Sequence, residues 1–160
     1  MRKNINMHMA DGTEKAVAFE ANGGTAIRYR MIFHKELIQS ITGMLEEIGD
    51  EKTMALMKMA QKGTESAADP EKMDPEELRI ILSVAGSGAL DIIPQLAYVM
   101  NMAAEGVDMH MLSMDGYLDW LERFEPAELI LHAPDLIGVY TGNRVLGSVS
   151  KKNIAPLTAL

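Results

Sequence analysis

The spacing of apolar residues changes along the chain, and each change predicts an element. Ala16-Val-Ala-Phe19 and Thr25–Phe33 flank Asn22-Gly23-Gly24. In the second run Ile27, Tyr29 and Met31 alternate with Arg28 and Arg30, the period of a half-buried strand. An Asn-Gly step between two such runs supplies the positive φ of a tight turn, so a β-hairpin is expected here, the alternative being a loop that leads directly into a helix. The polar residues 1–15 before it read as a flexible N-terminus. From His34 the period becomes helical. Leu37, Ile38, Ile41, Met44, Leu45 and Ile48 form one stripe, which Gly49 ends. Asp50 can cap a second helix to about Lys62, carrying Met54, Leu56, Met57 and Met59. Residues 63–73, rich in Gly, Ser, Asp and Pro, read as a linker.

Asp74-Pro75-Glu76-Glu77 places a cap, an N1 proline and first-turn acids in order. The helix they open carries Leu78, Ile81, Leu82 and Ala85 and stops at Gly86-Ser87-Gly88. The next helix, about Ala89 to Glu105, is the best core candidate, because Ile93, Leu96, Ala97, Met100 and Ala104 recur at spacings of three and four. Pro94 falls near its first turn. Ser113 caps a helix from Met114 to Phe124, which presents Tyr117, Leu118, Trp120 and Leu121. Pro126 ends that helix or begins a short one to His132, and Pro134-Asp135 opens a last one that Gly142-Asn143 breaks or bends. The expected fold is mainly α (α+β): a compact bundle of short helices with an N-terminal β-hairpin. One domain spans 16–146, and residues 147–160 form a C-terminal tail.

Composition narrows the chemistry. The chain has 160 residues, 48% of them hydrophobic and 24% charged, which is globular composition. Zero Cys excludes disulfides, thiolate metal sites and a cysteine nucleophile. A net charge of −8 argues against nucleic acid, which needs a cationic face. No apolar run reaches the ~18 residues of a membrane span, and no signal-peptide core follows the N-terminus, so a cytoplasmic protein is expected. There is no Gly-x-Ser-x-Gly, and Gly86-Ser87-Gly88 lacks the strand and Lys-Thr of a nucleotide loop. Glu46-Glu47, Glu76-Glu77 and Glu122/Glu125 read as solvated helix faces. Neither enzymatic activity nor a cofactor is expected.

The 14 methionines stand out. Met7-His8-Met9 and Met109-His110-Met111 repeat a Met-His-Met pattern, and thioethers select Cu(I). On a helix, however, residues two apart point about 200° away from each other, which separates Met57 from Met59 and Met100 from Met102. Flexible, polarizable Met also fills core gaps and builds adaptable binding surfaces. Met109, Met111 and Met114, with Tyr117 and Leu121 on the following helix, are the candidate partner-binding residues.

Three stretches together resemble the tail assembly chaperones of long-tailed, siphovirus-like bacteriophages and prophages of Gram-positive bacteria. The first is Phe19–Phe33 running into His34-Lys-Glu-Leu-Ile38. The second is Leu96-Ala-Tyr-Val-Met100, followed by Tyr117-Leu-Asp-Trp-Leu121 and Phe124. The third is Leu136-Ile-Gly-Val-Tyr140, with Asn143 and Ser150-Lys-Lys152. The chain departs from the family at His34-Lys35-Glu36, in the 63–73 linker and in its methionine excess. The resemblance implies a non-enzymatic protein of the host cytoplasm that binds the tape measure protein. It would keep that protein soluble while the tail tube assembles, and be absent from the mature virion. Further partners it implies are the tail tube protein, a longer form of this chain made by ribosomal frameshifting, and a second copy in a homo-oligomer. Lys151-Lys152-Asn153 can be encoded by a slippery run of A ending in C. Two other readings stay open: a small cytoplasmic helical adapter or regulatory protein, and a Met-rich Cu(I)-binding protein.

Overall fold

The computed structural model describes residues 1–62, 74–86 and 90–142. In chain order its elements are strands β1 (Arg2–His8) and β2 (Glu14–Glu20), then helices α1 (Thr25–Phe33), α2 (Leu37–Ile48), α3 (Asp50–Lys62) and α4 (Pro75–Val84). Helices α5 (Leu90–Ala104), α6 (Met114–Leu121) and α7 (Glu128–Leu131) follow, with a 3-10 turn at Met109–Met111 before α6. A final helix, α8, covers 133–142. The fold is mainly α with an N-terminal antiparallel hairpin, as the hydrophobic pattern predicts.

The hairpin, however, keeps only Ala16–Phe19 of the expected strands. β1 pairs with β2 in a register running from Arg2↔Glu20 to His8↔Glu14. The segment 1–15 expected to be flexible thus holds a seven-residue strand. Its buried Ile5 and Met7 alternate with Asn4, Asn6 and His8, a period-2 signal hidden in a polar segment. Thr25–Phe33, expected as the second strand, is α1. Asn22 makes a turn just before that helix, whose N-cap is Gly24, instead of turning a hairpin: its Oδ1 accepts from Gly24 N at 2.8 Å, and its own N donates to Thr25 Oγ1 at 2.9 Å. The apparent alternation is two helix faces seen together. Tyr29, Ile32 and Phe33 are buried, whereas Ile27 and Met31, four residues apart, are exposed.

Three of the other helix boundaries lie where local chemistry says. Gly49 closes α2 at φ 89. Asp74 accepts from Glu76 N at 3.0 Å and opens α4 ahead of Pro75. Ser113 accepts from Gly116 N at 3.0 Å and opens α6. The expected α6 ran to Phe124 but stops at Leu121, because the next residues bond to the hairpin. Ala10 N donates to Arg123 O at 2.8 Å and Glu125 N to His8 O at 3.1 Å. The 63–73 linker and the tail at 147–160 lie outside the described residues.

α5 is the centre. Every residue from Ile93 to Asn101 is buried, so no face of that stretch meets water. β2, α1, α6 and α7 pack around it, and α2, α3 and α4 form an outer group joined through α1 and α7. Polar bonds fix three of these packings. Tyr29 Oη donates to Gln95 Oε1 at 2.8 Å, tying α1 to α5. Asn101 bridges two more elements, donating to Ala18 O in β2 at 2.8 Å and accepting from Trp120 Nε1 in α6 at 2.9 Å. Asn101→Leu strands both partners in a buried site. It is expected to cost about 2–4 kcal/mol in urea denaturation, against the loss of well under 1 kcal/mol that would mark the bridge as incidental.

Candidate functional site

α6 has an inner and an outer face, and the candidate residues divide between them. Tyr117 is only 6% exposed. It sits against Phe33 of α1, with ring centroids 5.1 Å apart, and against Tyr98 of α5 at 5.5 Å. Trp120 continues the ring cluster to Tyr98 and Phe124. Burial pushes the Tyr117 hydroxyl up to about 12, and its ring supports the surface from beneath. Gly116 permits this close seat: a Cβ there would lie 3.0 Å from Tyr98 Oη.

The outer face carries the rest. Met111 is 75% exposed, Met114 47% and Leu118 49%. Met109 and Leu121 are half-buried. Met114 and Leu118, four residues apart, stack one turn above the other, and Leu121 follows a turn later. Leu121 also lines a groove of about 330 Å³ with Pro94, Phe124, Pro126, Leu129 and Ile130. Met114 and Leu118 thus stand on an apolar ridge that leads through Leu121 into an apolar groove, and exposed Met111 precedes the helix that carries it. A second hollow, of about 520 Å³, lies on the other side of α6 and includes Val17, Tyr98, Asn101, Trp120 and Arg123. The ridge is a surface that can hold an apolar seam, with flexible Met over a rigid aromatic base.

The two Met-His-Met segments are placed very differently. Met7 is fully buried beneath the hairpin, and Met9 is half-buried in a bridge to Phe124, so the first packs into the core. The second forms the 3-10 turn, opened by Asp108 accepting from His110 N at 2.9 Å.

Sequence reasoning missed a chain of buried charges behind the groove. Glu128, His132 and Asp135 are 3%, 1% and 5% exposed. Glu128 Oε1 accepts from His8 N at 2.9 Å, and lies 3.2 Å from both His8 Nδ1 and His132 Nε2. His132 Nδ1 lies 3.4 Å from Asp135 Oδ2, and Lys3 Nζ donates to Asp135 Oδ1 at 3.0 Å. The chain bolts β1 to α7 and α8. Its signal was Glu-x-x-x-His-x-x-Asp in an apolar segment, a spacing that puts all three on one helical face. Among the described residues no group of three or more His, Asp and Glu is placed to hold a metal ion.

Both ring nitrogens of His132 face carboxylates, which only accept, so the imidazolium is the form that satisfies both. Burial alone would lower its pKa, but the bonds to Asp135 and Glu128 outweigh that and hold it above 6.5. For Glu128 burial pushes upward, and the bonds from His132 and His8 outweigh it, holding it below 4.5. The stability from His132 is complete below its unfolded pKa and disappears as the pH rises through its higher folded value. The stability from Glu128 is complete above its unfolded pKa and disappears as the pH falls through its lower folded value. The bolt is therefore strongest between about pH 4.5 and 6.5. His132→Gln is expected to lower Tm most near about pH 5.5 and clearly less near about pH 9. A deficit that does not vary with pH would show that His132 is neutral in the folded chain.

No protein-family model, curated protein or solved structure matches this chain, so the meaning of the α6 face rests on its own geometry and chemistry.

Proposed function

We propose that this protein is a tail assembly chaperone of a long-tailed bacteriophage or prophage, one that binds the tape measure protein and keeps it soluble while the tail tube forms. The observation that carries this reading is the exposed ridge of Met114 and Leu118, preceded in the chain by exposed Met111 and leading through Leu121 into an apolar groove. A tape measure protein presents long apolar helical seams. Holding them requires apolar area that adapts to more than one register, which Met provides with little demand on shape. Docking a helix against a ridge and groove is the matching mode. The net charge of −8 limits self-association of a chain with such a face. Among the described residues no helix is long and apolar enough to cross a membrane. In this reading the protein is non-enzymatic, acts in the host cytoplasm and leaves before the virion matures. The same reading includes a frameshifted longer form, with slippage at the codons for 151–153.

Co-expression with the tape measure protein encoded beside it is expected to raise that protein's soluble yield and to yield a co-purifying complex. Met111→Ser/Met114→Ser/Leu118→Ser should remove the gain while changing the stability of the free chain by no more than about 0.5 kcal/mol per site. Unchanged solubility with no co-purification overturns the proposal. A gene position away from tail tube and tape measure genes would favour a helical adapter of another system.

A further inference from the structure

The α6 surface has a charged edge as well as an apolar ridge. At 100° per residue, Leu121, Met114 and Leu118 span about 60° of the helix, and Glu122, Asp115 and Asp119 fill the next 60° or so. Tyr117 and Trp120 lie on the other side of the ridge, in the core. Asp115, Asp119 and Glu122 are all exposed, and among the described residues none of them is in an ion pair. Two more exposed carboxylates bracket the helix, Asp108 before it and Glu125 after it. Arg123, near its end, lines the second hollow, and among the described residues it pairs with none of the three. The face therefore offers an apolar strip with three unpaired negative charges along one side only.

Such a strip selects by charge and by direction. Acidic residues on a helix beside it would meet like charge, whereas lysines or arginines on one flank of an apolar seam would find partners. We propose that the α6 face is a docking site for a cationic amphipathic helix, with its apolar seam on Met114, Leu118 and Leu121 and its basic flank along Asp115, Asp119 and Glu122. This deepens the holding role proposed above and rests on it for the client being helical. It adds that only stretches of client bearing basic residues beside the seam are held at this site.

A fluorescein-labelled helical peptide of Leu and Lys at seam-and-flank spacing, and its counterpart with Glu for Lys, test the face directly. The full chain is expected to bind the Lys peptide at least about tenfold more tightly at low salt, with the preference shrinking near about 0.5 M NaCl. Met114→Ser/Leu118→Ser should abolish binding of both peptides. Asp115→Asn/Asp119→Asn/Glu122→Gln should lose most of the preference. Glu46→Gln/Glu47→Gln/Glu51→Gln, an equal change of charge on α2 and α3, should keep it. Equal binding of the two peptides, binding of neither, or an equal loss in the α2–α3 variant overturns the proposal. Two further results would overturn it by naming another occupant. One is a dimer in sedimentation that Met114→Ser/Leu118→Ser dissolves. The other is a severalfold gain in peptide affinity on Arg144→Gln/Lys151→Gln/Lys152→Gln, which would mean that the chain's own basic C-terminal segment competes for the face. The peptides contain no tape measure sequence, so failure here leaves the co-expression result standing, and failure of co-expression leaves this one.

Discussion

The arrangement depends on one constraint: the middle of α5, Ile93 to Asn101, has no face that water can touch. From Ile93 to Asn101 every residue is buried, and a helix in that position must be covered on all sides. The hairpin covers it on one side and α1, α6 and α7 on others. A chain with 3 Phe, 4 Tyr and 1 Trp has few large rings for this work. It concentrates most of them where α1, α5 and α6 meet, in the Tyr29–Phe33–Tyr117–Tyr98–Trp120–Phe124 cluster. Methionines such as Met7, Met44 and Met100 fill the rest, and all three are almost wholly buried.

Covering α5 also settles how the outer surface of α6 is presented. Asn101 ties Trp120 to the hairpin, and Gly116 allows the helix to sit close to Tyr98. With Tyr117 and Trp120 committed inward, Met114 and Leu118 have no core to join and stay outside. The bolt from Lys3 and His8 to Glu128, His132 and Asp135 anchors α7, whose Leu129 and Ile130 line the groove at the end of that ridge. Buried ion networks often add little net stability, but breaking one leaves charges uncompensated. That is reason to expect this network to hold geometry more than to supply stability.

Three helix boundaries were legible because capping is local. Asp74, Ser113 and Gly49 act through bonds and dihedral angles within a few residues of themselves. The hairpin was half legible: β2 showed through Val17 and Phe19, but the Ile5/Met7 alternation of β1 lay in a polar segment that looked loose. Ile27, Tyr29 and Met31 misled because alternation counts a residue as inward without asking what it packs against, and two of the three face out. The ridge was legible as a run of methionines near an aromatic helix. The inward turn of Tyr117 was not, since it depends on Phe33 and Tyr98, far away in sequence. The Glu128–His132–Asp135 part of the bolt follows a local spacing, but its bonds to Lys3 and His8 join residues more than a hundred positions apart, which no local pattern records.

The central claim is that the outer face of α6 holds an apolar helical client. Hydrogen–deuterium exchange on the complex with the tape measure protein tests it most directly, because free and bound chain are compared at every backbone amide. The account predicts that amides across 109–131 slow by at least about tenfold on binding, while α2 to α4 exchange as in the free chain. Protection confined to α2–α4, or no protection in a complex that demonstrably forms, would contradict it.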